Sequence, residues 1–546
     1  MTVSRRSASA IGAFLLLLAW IASTETQRAP VRLVLVLSID QMRPDYLTRL
    51  DDLFQGGIRT LLDHGAVFTN AMYRHAPTET GPGHSVILSG RHPASSGIVG
   101  DAWFDPLLGR TVNVIDDPFV GLLGAPGRGA SPVNFVGFTL GDALKQSNPE
   151  SRVIGVSLKD RSAILMAGRL ADAAFWYDPG SGAFVTSTYY ARELPAWLET
   201  WNARKVADGY AGQLWTRLVE DESVYEAYAG PDDIDGEWDR EDTVFPHRIR
   251  GNASERAFYD DLRRTPFSDR LTADVALQAL EAYDLGKDAA TDIFAVGLSG
   301  GDYVGHTYGP DSQEVMDQLL RLDLLLGELF MQIDRQVGLD RTLIVLTADH
   351  GVLPLVEVLQ RQGVESRRVN PRTLRERLIS ALGGRFENPD ELLANFGADG
   401  VYFDQARLAA RGIAQVDVED VVTAALLASG DVAAVYTREQ LAGSAASEDP
   451  YLWLYRNAFF PARSPHLAIR LHPYLYASGQ YVGGTGHGTP YDYDRRVPII
   501  VMGSGIAPGR FAAESGPEDI APTLAAILGL DYPKESDARI LSEILP

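Results

Sequence analysis

Five uninterrupted apolar runs divide the chain, and each closes on polar or charged residues. The first, Arg32-Leu-Val-Leu-Val-Leu-Ser-Ile-Asp40, shows no polar alternation, which marks a strand buried on both faces as in a parallel sheet. The same form recurs at Arg152–Lys159, Asp292–Ser299, Thr342–Asp349 and Val497–Met502. Between the runs the period changes to that of helices, at Leu271–Tyr283 and Glu314–Gln336. The second of these carries Leu319, Leu322, Leu326, Phe330 and Ile333 on one stripe. Alternation of this kind predicts an α/β domain with a mostly parallel central sheet, whose ligands gather at the strand C-termini. Three stretches break the rhythm. Asp105–Asn134 is rich in glycine and proline, Trp197–Arg264 is aromatic, acidic and irregular, and residues from about 355 to 480 mix both periods. Short strands are expected in the last at Val401–Phe403 and His466–Tyr476. These read as insertions over one face, the last large enough for a small cap. No internal repeat is present.

Length and charge narrow the partners. A chain of 546 residues makes two to four domains, or one large α/β domain with insertions. Its 72 acidic and 49 basic residues leave a net charge of −23. No basic field exists to draw in a nucleic acid or an anionic membrane, although metals or a few cations can still reverse the field inside a pocket. Arg5 and Arg6 precede the apolar run Ile11–Ala22, which is short for a bilayer and is followed by small residues at Ala22, Ser23 and Thr24. Residues 1–24 are therefore expected to be a signal peptide, with an uncleaved anchor as the alternative. The absence of cysteine rules out disulfides and a lipid-modified thiol. The expected product is a periplasmic or secreted protein, residues 30–546, with no stable membrane association.

The residues with chemical potential cluster at the predicted strand ends. Thr80 stands before Gly81-Pro82-Gly83-His84, where a turn should open a helix. A hydroxyl there is either an N-cap, the commoner role, or a nucleophile beside the positive end of the helix dipole. Asp40 ends the first run. Asp302 and His306 stand four apart after the third, Asp349 and His350 are adjacent after the fourth, and His487 sits in Gly483-Gly-Thr-Gly-His-Gly488. Singly, each has a structural explanation as a cap, a turn residue or a hydrogen-bonded histidine. Together, three carboxylates and three imidazoles form an oxygen and nitrogen set suited to zinc, enough for two ions with open positions. Two metals about 4 Å apart clamp the attacking and leaving oxygens of an in-line displacement and acidify a bound hydroxyl. Lys159 and Arg161, two apart in a segment taken as extended, would lie on one side and grip an anion; the alternative is a pair of surface salt bridges.

In order along the chain, Ser-Ile-Asp40-Gln-Met-Arg-Pro-Asp-Tyr, Thr80-Gly-Pro-Gly-His, Asp302-Tyr-Val-Gly-His306, Ala-Asp349-His350-Gly and His487 resemble the motifs of the alkaline phosphatase superfamily. Ser157-Leu-Lys-Asp-Arg161 and Ala173-Ala-Phe-Trp-Tyr-Asp narrow the resemblance to the phosphate-irrepressible alkaline phosphatases, exported two-zinc phosphomonoesterases with a threonine nucleophile. The resemblance implies a three-layer sandwich with cap insertions over residues 30–546. It implies that Asp302, His306 and His487 bind one zinc, which stabilises the leaving oxygen and then activates water. Asp40, Asp349 and His350 would bind the other, which also coordinates Thr80. Lys159 and Arg161 would hold the phosphoryl oxygens while Thr80 attacks phosphorus and becomes phosphothreonine. The expected partner is a small phosphate ester, and the expected state a monomer. One position departs from the pattern: where the family carries asparagine, this chain has Asp101, which if ionised would repel a dianion and is otherwise protonated, turned away, bound to a cation, or part of a site preferring a less charged ester. The alternatives left open are a phosphodiesterase or phosphonate monoester hydrolase on the same scaffold and, more remotely, an inactive metal-dependent binding protein.

Overall fold

The computed structural model describes residues 30–238, 242–397, 400–479, 483–535 and 537–545. The signal peptide expected over residues 1–24 lies outside them. Five strands form the centre of an eleven-stranded sheet. They are β1 (Leu33–Ile39), β2 (Val153–Ser157), β3 (Ala173–Asp178), β4 (Asp292–Leu298) and β5 (Thr342–Thr347). In space they run β5-β1-β4-β2-β3, and every neighbouring pair is parallel. All seven residues of β1 are buried. Alternation along β1 sends Leu33, Leu35 and Leu37 into one core and Val34 and Val36 into another. Both faces are thus covered, which is why the run carries no polar positions.

The first core is closed by the helix Phe267–Ala282 and by α4 (Gln313–Gln336), whose Leu319, Leu322, Leu326, Phe330 and Ile333 all face inward. The second is closed by helices Leu140–Ser147 and Ile520–Leu528, through Leu140, Leu144, Ile520 and Leu524. Helices, sheet and helices make three layers. Each fully buried leucine or valine contributes about 1.5–3 kcal/mol relative to exposure, so the sheet is a rigid base for whatever its edge presents.

Three stretches differ from the sequence-based expectation. The run Val497–Met502 does form a strand, Ile499–Gly503, but it lies antiparallel to β5. The chain reaches it from the loop around His487, already at the C-terminal edge, and so must run back down the sheet. The irregular stretch Trp197–Arg264 does not merely lie over a face: it inserts Trp201, Trp215, Tyr225 and Phe258 into the first core. Asp105–Asn134 extends the sheet instead, because its strands Asp116–Leu123 and Arg128–Ala130 pair outward from Ala183–Ser187. Residues 393–471 hold a separate four-stranded sheet with its own core, including Val401, Phe403, Leu374 and Val422.

Candidate metal centre

Every central strand but β3 delivers a polar side chain at the same edge. Beyond β1, Asp40 keeps the pairing for one more residue by donating its N–H to Leu298 O at 3.0 Å. Beyond β4, the helix α3 (Gly300–Tyr308) places Asp302 in its first turn and His306 one turn later, with His306 Nε2 3.1 Å from Asp302 Oδ1. Beyond β5 come Asp349 and His350, both fully buried. His487 arrives on the glycine-rich loop and stacks on His350 with ring centroids 3.4 Å apart. The loop requires glycine at 483, where φ is +85° and a Cβ would sit 2.3 Å from Glu237 O.

The three histidines are held in one tautomer. His306 Nδ1 lies 2.6 Å from Thr485 O, His350 Nδ1 2.9 Å from Gly351 O and His487 Nδ1 2.8 Å from Thr78 O. A carbonyl only accepts, so each Nδ1 carries the proton, which leaves the Nε2 lone pair open on the neutral His350 and His487, while His306 Nε2 faces the Asp302 carboxylate. That is the arrangement of imidazole ligands braced from behind. Burial drives His350 down to about 4 and His487 down to about 3, so both stay neutral at ordinary pH. For His306, burial works the same way, but the neighbouring Asp302 carboxylate raises it.

The carboxylates want more positive charge than the fold supplies. Asp40, whose Oδ1 accepts no hydrogen bond and whose Oδ2 meets Lys159, is raised to about 6 by burial and then by Asp349, with Lys159 pulling the other way. Asp349 Oδ2 meets one donor, the His84 ring N–H, at 3.2 Å. Burial opposes ionisation of Asp302 too, but His306 and Lys159 outweigh it and hold that carboxyl well below its usual range. The Lys159 ammonium sits 2.6 Å from Asp302 Oδ2 and 2.8 Å from Asp40 Oδ2, which keeps it firmly protonated. It stands where added cations would relieve the same charges. Among the described residues, ligand atoms within 4.8 Å of one another occur in three overlapping sets: Asp302, His306 and His487; Asp40, Asp302 and His350; and Asp40, His84 and Asp349. His84 differs from the other histidines. Its Nδ1 faces both Thr80 O, at 2.9 Å, and Asp349 Oδ2, at 3.2 Å, and so donates. The lone pairs on that side belong to Asp40, Asp349 and His350, with His350 Nε2 3.6 Å from Asp40 Oδ1 and 3.3 Å from Asp349 Oδ2. Mixed oxygen and imidazole donors, with the buried Asp40 Oδ1 left without a hydrogen-bond donor, fit divalent metal ions.

Thr80 opens the fully buried helix α1 (Thr80–Ser89) as its first helical residue, not its cap. Glu79 occupies the cap position, and no side chain caps the helix. The Thr80 hydroxyl is thereby left for other contacts, 3.4 Å from His350 Nε2 and 3.2 Å from Lys159 Nζ. Close approach of this helix to the ligand candidates depends on Gly83, where a Cβ would stand 2.2 Å from Asp349 O.

The Lys159–Arg161 segment is not extended, as its spacing predicted, but enters a helix. Lys159 caps the helix α2 (Asp160–Ala167) in extended backbone, and Arg161 lies in its first turn. The two side chains diverge: Lys159 reaches the carboxylates, while Arg161 Nη2 pairs with Asp101 Oδ2 at 2.9 Å. Asp101 Oδ1 also accepts the Gly81 N–H at 2.6 Å. Burial disfavours its charge, but Arg161 and the Gly81 amide prevail, and the carboxyl is held below its ordinary range. Asp101 is therefore ionised and turned onto two donors. Sequence reasoning passed over two residues that brace this centre. His84 was quoted within its motif without a role. Gln41 bridges the ligand sets, its Nε2 donating to Asp302 Oδ1 at 2.7 Å and its N–H to Asp349 Oδ1 at 3.1 Å. The only signal for Gln41 was its place immediately after Asp40.

A three-layer α/β domain with acidic and imidazole ligands at its strand ends, around a helix-terminal threonine, defines a hydrolase of phosphate esters. Residues 34–484 match the type I phosphodiesterase / nucleotide pyrophosphatase family, and the chain belongs to it, within the alkaline phosphatase superfamily. Alkaline phosphatase PhoV of Synechococcus elongatus is 33% identical over 526 residues, 94% of this chain and 93% of that protein. Alkaline phosphatase PafA of Elizabethkingia meningoseptica is 32% identical over 524 residues, 94% of each. The crystal structure of wild type alkaline phosphatase PafA superposes with a TM-score of 0.87 at 31% identity, covering 95% of this chain and 99% of that one. Among the described residues, no helix is long and apolar enough to cross a membrane.

Proposed function

We propose that this chain is an exported alkaline phosphatase that cleaves phosphate monoesters through a phosphothreonine on Thr80. Asp302, His306 and His487 would hold one zinc ion, and Asp40, Asp349 and His350 the other. The observation that carries the reading is the Thr80 hydroxyl, excluded from capping and set among the ligand clusters. Bound there, two zinc ions supply Lewis acidity and neutralise charge on the attacking and leaving oxygens. The chain supplies the rest. Helix α1 aims the Thr80 oxygen with its N-terminal dipole behind the incoming phosphate. Lys159, drawn onto Asp40 and Asp302 here, is the compact charge able to swing onto a phosphoryl oxygen once those carboxylates are otherwise neutralised. Arg161 offers a planar fork to the same group. Attack by Thr80 Oγ1 breaks the ester bond and releases the alcohol; water then attacks phosphorus, and the Thr80 oxygen leaves. Small esters are the substrates, because a chain of net charge −23 repels polyanions, and the protein is taken to act as a monomer.

One observation favours a second reading. Ionised Asp101 occupies Arg161 and the Gly81 N–H, two donors that a doubly charged monoester would use. A phosphodiester, with a single charge, meets less repulsion there. Turnover of p-nitrophenyl phosphate and of its bis ester by the zinc-loaded protein decides between the two; a higher kcat/KM for the bis ester overturns the monoesterase. Thr80→Ala should abolish turnover of both while elemental analysis still finds bound zinc. Retained wild-type kcat in that variant removes Thr80 as the nucleophile.

A further inference from the structure

A cavity of ≈160 Å³ lies between the segment leading into α1, the hairpin Ala102–Asp105/Arg110–Asn113 and the cap. Its wall touches the reactive centre through chain neighbours. Glu79 precedes Thr80, Gly100 precedes Asp101 and Gly488 follows His487. A second cavity of ≈240 Å³ shares Glu79, Tyr455, Ile469 and Gly488 with the first and includes His487 in its own wall. The two cavities adjoin across these shared residues, which places the first one next to a metal-ligand candidate.

The first cavity is built for a flat, uncharged group. Trp103, Phe104, Tyr402 and Tyr455 line it, and each is at least nine-tenths buried. Phe104 and Tyr402 meet at 5.5 Å in a tilted pair, the geometry aromatic rings prefer with one another. The Tyr402 hydroxyl is already committed to Arg463 O at 2.8 Å, so its ring is the face left for a guest. Arg463 stacks behind Trp103, 4.6 Å from the ring, and donates to Gly97 and Asn134 carbonyls. The charged group in the lining is Glu79, whose carboxylate accepts the Asp101 N–H at 2.7 Å. An anionic guest would meet that carboxylate with Asp101 close by. The volume matches the roughly 150 Å³ that admits a single benzene ring.

Resting on the phosphatase reading, we infer that this cavity receives the alcohol half of the substrate, and that the preferred substrates are esters of uncharged alcohols bearing one aromatic ring. His487 would then stand at the threshold between the reacting phosphoryl group and the ring, on the side where the alcohol departs. A second phosphate, a carboxylate or a sugar would be received less well, because the wall offers them a negative charge and few open donors.

Phosphonates that cannot be hydrolysed test the cavity apart from the chemistry. Calorimetric titration of the zinc-loaded protein should show benzylphosphonate binding at least about tenfold tighter than methylphosphonate, the span that hydrophobic pockets achieve. Trp103→Ala and Tyr402→Ala should each remove most of that preference and leave the affinity for methylphosphonate unchanged. Thermal melts of each variant establish that it is folded; Ala458→Phe, which fills the cavity from the cap side, gives an independent route to the same loss. Equal affinity for the two phosphonates in the wild-type protein overturns the inference, as does a preference that survives all three folded variants. Turnover of p-nitrophenyl phosphate on the same preparations reports on the hydrolase reading separately. A protein that discriminates the phosphonates but hydrolyses nothing retains the cavity assignment and loses the phosphatase, and the converse result does the reverse.

Discussion

Replacing Asp101 by asparagine removes one negative charge while keeping the shape of the side chain. The asparagine oxygen can still accept the Gly81 N–H, so the helix start is preserved, while the Arg161 fork is released. Two like unit charges 4 Å apart repel by about 4 kcal/mol at an effective dielectric constant of 20. The Asp101 side chain is 35% exposed, and solvent screening cuts that value to about 1–2 kcal/mol. A monoester dianion carries one charge more than a diester monoanion, so the saving falls on the monoester. At 1.4 kcal/mol per tenfold, the ratio of kcat/KM for p-nitrophenyl phosphate over its bis ester should rise about fivefold to thirtyfold in Asp101→Asn. Because Arg161 and the Gly81 amide hold the carboxyl below its usual range, the wild-type charge persists at every pH above that range. The gain should therefore be constant from neutral to alkaline pH. An unchanged ratio, or an equal rise for both esters, would show that Asp101 does not confront the phosphoryl group.

The metal-free protein should gain stability from Asp40→Asn at pH 8, by about 3 kcal/mol in denaturant melts, and gain nothing at pH 3. Asp40 is raised from 3.8 to about 6, so its contribution is fully favourable below the unfolded value and is lost as pH rises through the folded one. A loss of stability at pH 8 would refute the strain attributed to this carboxylate. Stripping metal with a chelator should lower stability by about 4 kcal/mol relative to zinc at a thousandfold excess over its dissociation constant; an unchanged melting curve would mean that the clusters hold no ion. His84→Ala should lower kcat while elemental analysis still finds zinc, since the imidazole steadies Thr80 O and Asp349 without offering a lone pair to that side. Loss of zinc in this variant would make it a ligand.

The sequence by itself determined the sheet and its edge. A strand buried on both faces has to be apolar throughout, so β1, β2, β4 and β5 announced themselves, and the polar residues closing them marked the edge where side chains gather. It also determined which residue types meet there, since Asp, His, Thr, Lys and Arg at strand ends have few other uses in such numbers. What it could not determine is direction and partner choice, which depend on where the chain re-enters the sheet and which neighbours it meets. The run Val497–Met502 has the composition of a parallel strand and lies antiparallel. Lys159 and Arg161 were placed on one side by spacing and part company because a helix begins between them. Thr80 has the sequence of a cap and is not one, because Glu79 takes that position. Asp101 is the clearest case. Its identity was legible as a charge out of place, but only the tertiary structure put Arg161 and the Gly81 N–H against it, keeping it ionised beside the candidate nucleophile.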